Sequence, residues 1–395
     1  MIASIFMNWY VTLLMSQSSR KKFWLTLAIG FDVLLLGVFK YTGFVTENLG
    51  LTRVNIALPI EISFFTFQMM SYVFDVYYGK SEAQKNPLYV ALYISFFPQL
   101  IAGPIVRYNQ IESEIESRNE SWENFSEGVR SFIYGLGKKV LLANFVAQVA
   151  DNVFGYLVNP SVLLSWWGVV AYTCQVYFDF SAYSDMAIGL GLMFGFHFEE
   201  NFNYPYIAAS LSEYWHRWHI SLSTWFKDYV YIPIGGSRVS YGRWLLNLSF
   251  VWFLTGFWHG ANWTFIFWGQ MFFVLLVIEK ETKIAVKLGK FSHVYTMLIV
   301  FIARVIYRSN TLSSAFHYIA GMFGLNGNQF CGQDFTFYVK NTWLLLLFAV
   351  IGVFPVMKKL HRHAWLEALW LAMILMLSSA VTVGSSYNPF IYFNF

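Results

Sequence analysis

Apolar runs of membrane length recur from one end of this chain to the other, and that pattern admits few folds. They fall near 2–16, 23–41, 58–78, 88–106, 128–150, 162–180, 183–196, 244–258, 261–279, 292–308, 341–357 and 365–382. Only 12% of the 395 residues are charged, about half the share of a soluble domain. The chain therefore reads as an all-α polytopic membrane protein. Several runs are shorter than the roughly 20 residues that a straight span needs, so tilted, broken or re-entrant helices are expected among them. The run 88–106 is the clearest, with Pro98, Gly103 and Pro104 inside it. The first run ends at Ser16 without a preceding basic segment, so it reads as a helix rather than a cleaved signal. No internal repeat, low-complexity tract or linker stands out, and one membrane domain, 1–395, is the economical reading.

Basic residues cluster between the runs. Arg20-Lys21-Lys22, Lys80 with Lys85, Lys138-Lys139, the stretch Lys280 to Lys290, and Lys358-Lys359 with Arg362 all read as cytoplasmic loops. One further helix, 365–382, then crosses outward and leaves the tail 383–395 on the extracytoplasmic face. Residues 109–127 read as a surface helix or loop, and 309–340 as a polar outer loop. The net charge of +4 belongs to this loop bias, and no basic stripe for nucleic acid appears. Cys174 and Cys331 are too few and too far apart for a disulfide framework or a zinc ribbon.

Polar side chains inside apolar sequence are the functional candidates, because burying them in lipid is costly. His259 lies in Gly256-Phe257-Trp258-His259-Gly260-Ala261-Asn262, between two apolar runs. Histidine titrates near neutrality and can take a proton from a hydroxyl group. Asp32, Glu61 and the pair Asp179 and Asp185 are further intramembrane carboxylates. The stretch Asp179–Asp185 reads either as a helix break with capping side chains or as part of a polar cavity wall. From Ser212 to Tyr229, Trp, Arg, His and Lys alternate with apolar residues, with Ser212 and Glu213 opening a helix. That pattern suits an interfacial anchor or the wall of a polar tunnel. Glu213, His216 and His219 recur every third residue, yet no further ligand closes a metal shell, so no metal is expected. The tail Tyr387–Phe395 is aromatic to its last residue, either as an interfacial belt or with a tyrosine that carries an acyl group.

These segments resemble the membrane-bound O-acyltransferases, most of all their bacterial polysaccharide O-acetylase branch. The matching stretches include 58–60, 63–68, Phe96–Tyr108, Asp179-Phe180-Ser181, Tyr183–Ala187, Asn201–Tyr206, Trp218–Ser223 and Gly256–Gly260. The resemblance covers nearly the whole chain. It implies a bundle of about 10–12 transmembrane and re-entrant helices around a tunnel, in the bacterial cytoplasmic membrane. It implies His259 as the catalytic histidine and His219 as a second functional one, with Trp218, Asp228, Tyr229, Asn262 and Asp185 along the substrate path. It implies an acyl-CoA donor, most simply acetyl-CoA, no resident cofactor, a polysaccharide acceptor and an extracytoplasmic acetyltransferase or esterase-like partner, in contact with membrane lipid. Phe390, Tyr392 and Phe395 match a Phe-x-Tyr-x-x-Phe motif whose tyrosine relays the acyl group. The chain departs from the pattern at Glu61 and Ala182, where glycine is usual, and at His216, where arginine is usual. Its start also lies one or two helices late. The rival reading is a proton-coupled transporter or flippase whose path runs through His219, His259, Asp179 and Asp185.

Overall fold

The computed structural model describes residues 1–395 except 55, 60–61, 101–102, 156–158, 356–363, 386 and 388–395. Glu61, the basic group Lys358-Lys359 with Arg362, and Tyr392 lie outside the described residues. Among those described, every regular element is a helix. Among the described residues, five helices are long and apolar enough to cross a membrane: Lys21–Asn48, Trp263–Thr282, Ile284–Arg308, Gln333–Gly352 and Ala364–Gly384. The chain divides into two compact units. One holds residues 1–132, 184–200 and 221–240, and the other 133–183, 201–220 and 241–395.

In the first unit, the buried Asp32 accepts a hydrogen bond from Asn8 Nδ2 at 2.8 Å, which gives this intramembrane carboxylate a partner from the Ile2–Gln17 helix. The 88–106 run is broken as expected. A helix at Pro87–Ser95 is followed by a single turn at Phe97–Leu100, and residues 103–107 are non-helical. Gly103 has no room for a side chain, since a Cβ there would lie 2.7 Å from Gln99 Cα. The freed N–H of Ile105 is satisfied by Ser221 Oγ at 3.0 Å. Residues 108–116 form a surface helix that buries Ile111 and Ile115. Gly128 and Gly189 bring two helices into backbone contact; a Cβ on either would lie 2.5 Å from the carbonyl oxygen of the other. Small residues permit this close crossing where apolar area gives lipid-embedded helices little reason to associate.

In the second unit, the structure corrects three expectations. The helix Val162–Met193, of which 162–183 belong to this unit, is continuous over 32 residues, so the Asp179–Asp185 stretch is no break. Lys139 does not lie in a cytoplasmic loop. It is buried in a π-helical segment, Lys138–Ala143, and its Nζ meets Asp179 Oδ1 at 2.5 Å. Each charge thus supplies the other's counterion, and this pairing makes both tolerable in the interior. The polar region 309–340 is not all loop: Leu312–Met322 is helical, and the next helix starts at Gln333.

The helix that precedes His219 runs from Leu211 to Arg217, and its N-cap is Ser210 rather than Ser212. Its free N–H groups at Leu211 and Ser212 donate to the Glu279 carboxylate at 2.9 and 3.2 Å. A buried carboxylate from a distant helix thereby does the work of a local cap and also matches the helix dipole.

Candidate active site

His259 is the last residue of the Tyr241–His259 helix. The next helix, Trp263–Thr282, is capped by Asn262, whose Oδ1 accepts from the Thr264 N–H at 3.1 Å. These two helices pack on glycine. A Cβ on Gly256 would overlap the Phe265 carbonyl, and one on Gly269 would overlap the Trp252 carbonyl. Gly260 lies against the Phe265 ring with no room for a side chain. The glycines flanking His259 are therefore required by packing, and the hairpin they close fixes the imidazole at its end.

The His259 side chain is buried among aromatic rings. Its ring centroid lies 5.0 Å from Trp258, 5.1 Å from Trp268 and 5.4 Å from Tyr307, each in a near edge-to-face arrangement. Its Nδ1 lies 3.2 Å from the Tyr307 hydroxyl. Tyr307 belongs to the Ser292–Arg308 helix, and its phenol is buried too. A buried imidazole with one nitrogen tied to a hydroxyl has a defined ring orientation.

His219 occupies the corner between the short helices Leu211–Arg217 and Ile220–Phe226. Its φ of 47° is left-handed, a conformation that costs a residue with a Cβ of order 1–3 kcal/mol. The segment 201–203 holds the corner in place. The Ile220 N–H donates to the Asn201 carbonyl and the Asn203 N–H donates to the Arg217 carbonyl, both at 2.9 Å. Asn201 Oδ1 also lies 3.1 Å from His219 Nδ1. Burial holds the His219 imidazole well below its ordinary pKa, at about 3, so it is neutral at physiological pH. Phe180 lies edge-on to it at 4.6 Å. The Trp258 ring is the shared neighbour, 6.2 Å from His219 and 5.0 Å from His259.

Trp218 stacks on Tyr214, and the Arg304 guanidinium lies 4.3 Å above the Trp218 ring while donating to Tyr214 Oη at 2.9 Å. Arg304 and Tyr307 are one turn apart on the same helix. That helix therefore steadies Trp218 beside one histidine and contacts the other directly. Sequence reasoning quoted Asn201 only within a matching stretch, with no role, and passed over Arg304 and Tyr307. Arg304 carried a usable signal, as a charge inside an apolar run.

The other expected site residues have different surroundings. Asn262, besides capping its helix, donates to the Asn310 carbonyl at 3.0 Å. Asp228, Tyr229 and Asp185 belong to the first unit. There Asp228 pairs with Arg107 at 2.6 Å, and the Tyr229 hydroxyl donates to Asp75 at 2.7 Å. Both sit in a π-helical turn, Lys227–Tyr231, a distortion frequent at functional sites. The Asp185 carbonyl accepts from Ser131. The set Glu213, His216 and His219 does not converge. Glu213 holds Arg217 and the Ala209 N–H, His216 Nδ1 lies on the Ser212 carbonyl, and His219 faces Asn201.

A multi-pass helical protein that buries a hydroxyl-paired histidine has the parts for moving a proton during transfer to a hydroxyl group. Comparison with known proteins identifies the class. Residues 84–309 match the membrane-bound O-acyltransferase family. The probable alginate O-acetylase AlgI of Pseudomonas putida is 38% identical over 409 residues, covering 94% of this chain and 84% of that protein. The peptidoglycan O-acetyltransferase of Helicobacter pylori is 33% identical over 459 residues, covering all of this chain and 87% of that protein. The teichoic acid D-alanyltransferase of Bacillus subtilis is 29% identical over 242 residues, covering 56% of this chain and 59% of that protein. The chain belongs to the membrane-bound O-acyltransferase family. It is an O-acyltransferase, which decides against the transporter reading.

Proposed function

We propose that this protein takes an acetyl group from acetyl-CoA in the bacterial cytoplasmic membrane and passes it outward for O-acetylation of a cell-envelope or secreted polysaccharide. The observation that carries the mechanism is the burial of His259 with its Nδ1 against the Tyr307 hydroxyl. In this reading Nδ1–H donates to Tyr307, and Nε2 accepts the proton of the incoming hydroxyl. The hydroxyl oxygen attacks the thioester carbonyl carbon. The new C–O bond forms, the C–S bond breaks, and the departing thiolate takes the proton back from Nε2. The imidazolium that exists between these steps lies at the C-terminal end of a helix, where the dipole stabilises positive charge. His219, neutral and rigidly held, positions the donor together with Trp218.

Acetyl is preferred over D-alanyl because the relatives matched across nearly the whole chain carry O-acetylase names, whereas the D-alanyltransferase match spans about half of it. Tyr392 is the first acceptor in this reading. It hands the acyl group to an extracytoplasmic partner protein, which places the tail 383–395 outside. The test is the mass of the C-terminal peptide after incubation with isotopically labelled acetyl-CoA. Label on Tyr392 in wild type, and none in His259→Ala, is the expected result. Polymer acetylation at the wild-type rate by His259→Ala would overturn the mechanism.

A further inference from the structure

The second unit carries a cavity of about 610 Å³ that neither His219 nor His259 lines. That volume is within the roughly 300–1,000 Å³ of sites that enclose a small ligand. One wall is a stripe of the Ser292–Arg308 helix, made of His293, Val294, Met297, Leu298 and Phe301. Steps of three and four residues link these positions, so they share one helical face. The other wall is formed by Trp166, Tyr206, Ile207 and Phe354. Val294, Leu298 and Phe354 are exposed, which leaves the cavity open on that side as a groove.

Three of the lining side chains carry a polar group, and each is spent on a backbone carbonyl. Trp166 Nε1 donates to Met322 at 2.8 Å, the Tyr206 hydroxyl donates to Thr173 at 2.7 Å, and His293 Nδ1 lies 3.2 Å from the Ala208 carbonyl. What remains to face the groove is ring and aliphatic carbon. The helix sets its length. From His293 to Phe301 is about 12 Å at 1.5 Å per residue. Trp166 stands at the Phe301 end, edge-on to that ring with 6.2 Å between centroids. About 12 Å is close to the depth of one leaflet, half of the roughly 30 Å hydrocarbon core. The stretch Ile284–Arg308, which contains this helix, is long and apolar enough to cross a membrane. A transmembrane helix of a partner would bury a seam through both leaflets, whereas a groove one leaflet deep fits an acyl chain.

The His293 end of the groove is basic. Lys290 continues the stripe three residues before His293, and Lys287 lies three residues before that; both are exposed. The helix that starts at Ser292 has no side-chain cap and no acidic residue in its first turn, so the positive end of its dipole is unmatched. Two carboxylates of the region are already engaged, Glu279 by the N–H groups of Leu211 and Ser212, and Glu213 by Arg217. A basic mouth beside membrane helices suits an anionic lipid headgroup.

We propose that this groove binds one phospholipid with an anionic headgroup. One acyl chain lies along the stripe from Val294 to Phe301, and the phosphate sits beside Lys290 and the start of the helix. The site does not depend on the acyl-transfer mechanism.

The test is native mass spectrometry of the full-length protein, delipidated in detergent and titrated with phosphatidylglycerol or with phosphatidylcholine of the same chains. One phosphatidylglycerol per protomer should bind, more tightly than phosphatidylcholine. Lys290→Gln should weaken phosphatidylglycerol on the order of fivefold, the share of one lysine near an anionic headgroup. It should leave phosphatidylcholine unchanged, and Lys340→Gln, an exposed lysine on another helix, should alter neither. Leu298→Trp fills the groove and should abolish the tight site. Equal affinity for the two lipids overturns the proposal, as does undiminished phosphatidylglycerol binding in Leu298→Trp. Lipid-free dimers that Leu298→Trp dissociates would also overturn it, by making the groove an interface between copies of this chain. A phosphatidylglycerol with a diazirine midway along one chain tests the wild-type protein directly. Crosslinks should fall on Trp166, Leu298 or Phe301, and crosslinks confined to other helices overturn the assignment.

Discussion

Tyr307→Phe is the sharpest probe of the histidine site. The substitution removes one oxygen and keeps the ring, so the edge-to-face contacts with His259, Phe265 and Trp268 survive. What goes is the partner 3.2 Å from His259 Nδ1. A buried N–H left without an acceptor costs about 1–3 kcal/mol. If that N–H is present when His259 acts as a base, the cost falls on the reactive tautomer. The other tautomer, with the proton on Nε2, cannot take a proton from the acceptor. At 1.36 kcal/mol per factor of ten, kcat should fall about 5- to 150-fold. The KM for donor should change little, because Tyr307 holds the base and not the substrate. The assay is thiol release from acetyl-CoA coupled to acyl transfer by purified protein, with His259→Ala as the inactive reference and thermal unfolding as the check on folding. A Tyr307→Phe enzyme within twofold of wild-type kcat, beside an inactive His259→Ala, would refute the claim that Tyr307 sets the working form of the base.

Gly269→Ala should lower the unfolding midpoint by several degrees, since its Cβ collides with the Trp252 carbonyl and overpacking costs about 1–3 kcal/mol. Gly242→Ala, with nothing within 4 Å, is the matched control and should be neutral or slightly stabilising. Lys139→Met should destabilise by about 3–5 kcal/mol because it strands Asp179 as a buried charge, and the double variant with Asp179→Leu should recover most of that loss. At His219, Gly should give a more stable protein than Ala by about 1 kcal/mol, because the left-handed backbone suits glycine. Both variants should lose acyl transfer if the imidazole itself positions the donor.

How much of this was legible beforehand depended on whether a residue's role showed in its own neighbourhood. His259 stands out because an ionisable group in an apolar run has few innocent explanations. Its glycine neighbours are equally local, and they prove to be packing requirements of the same hairpin. Tyr307 has no such contrast. The chain has 25 tyrosines, and a phenol in an apolar helix looks the same whether it faces lipid or a histidine 48 positions away. Lys139 misled because the rule for basic residues assumes that they lie in loops. Its partner Asp179 is 40 positions distant, and only the fold brings the two charges together. The same pair explains the misread break at 179–185: once Asp179 is neutralised, the helix continues through it, with Phe178, Phe180 and Ala182 all buried. The strained corner at His219 was out of reach, because the carbonyl and N–H groups of 201–203 that hold it are not encoded by side-chain pattern.

The glycine contact between the two helices around His259 also works as a ruler. Gly256 and Gly269 can meet in only one register, because a slip by one residue would put a side chain where two backbones touch. A helix rises 1.5 Å and turns 100° per residue, so His259 stands about 4.5 Å beyond Gly256 at a fixed azimuth. Hydrophobic thickness of the bilayer and tilt of the protein can vary, yet the height of the imidazole above that crossing cannot follow them. Lengthening the hairpin end by one residue between Gly256 and His259 would swing the ring away from Tyr307 without altering a single side chain in the site.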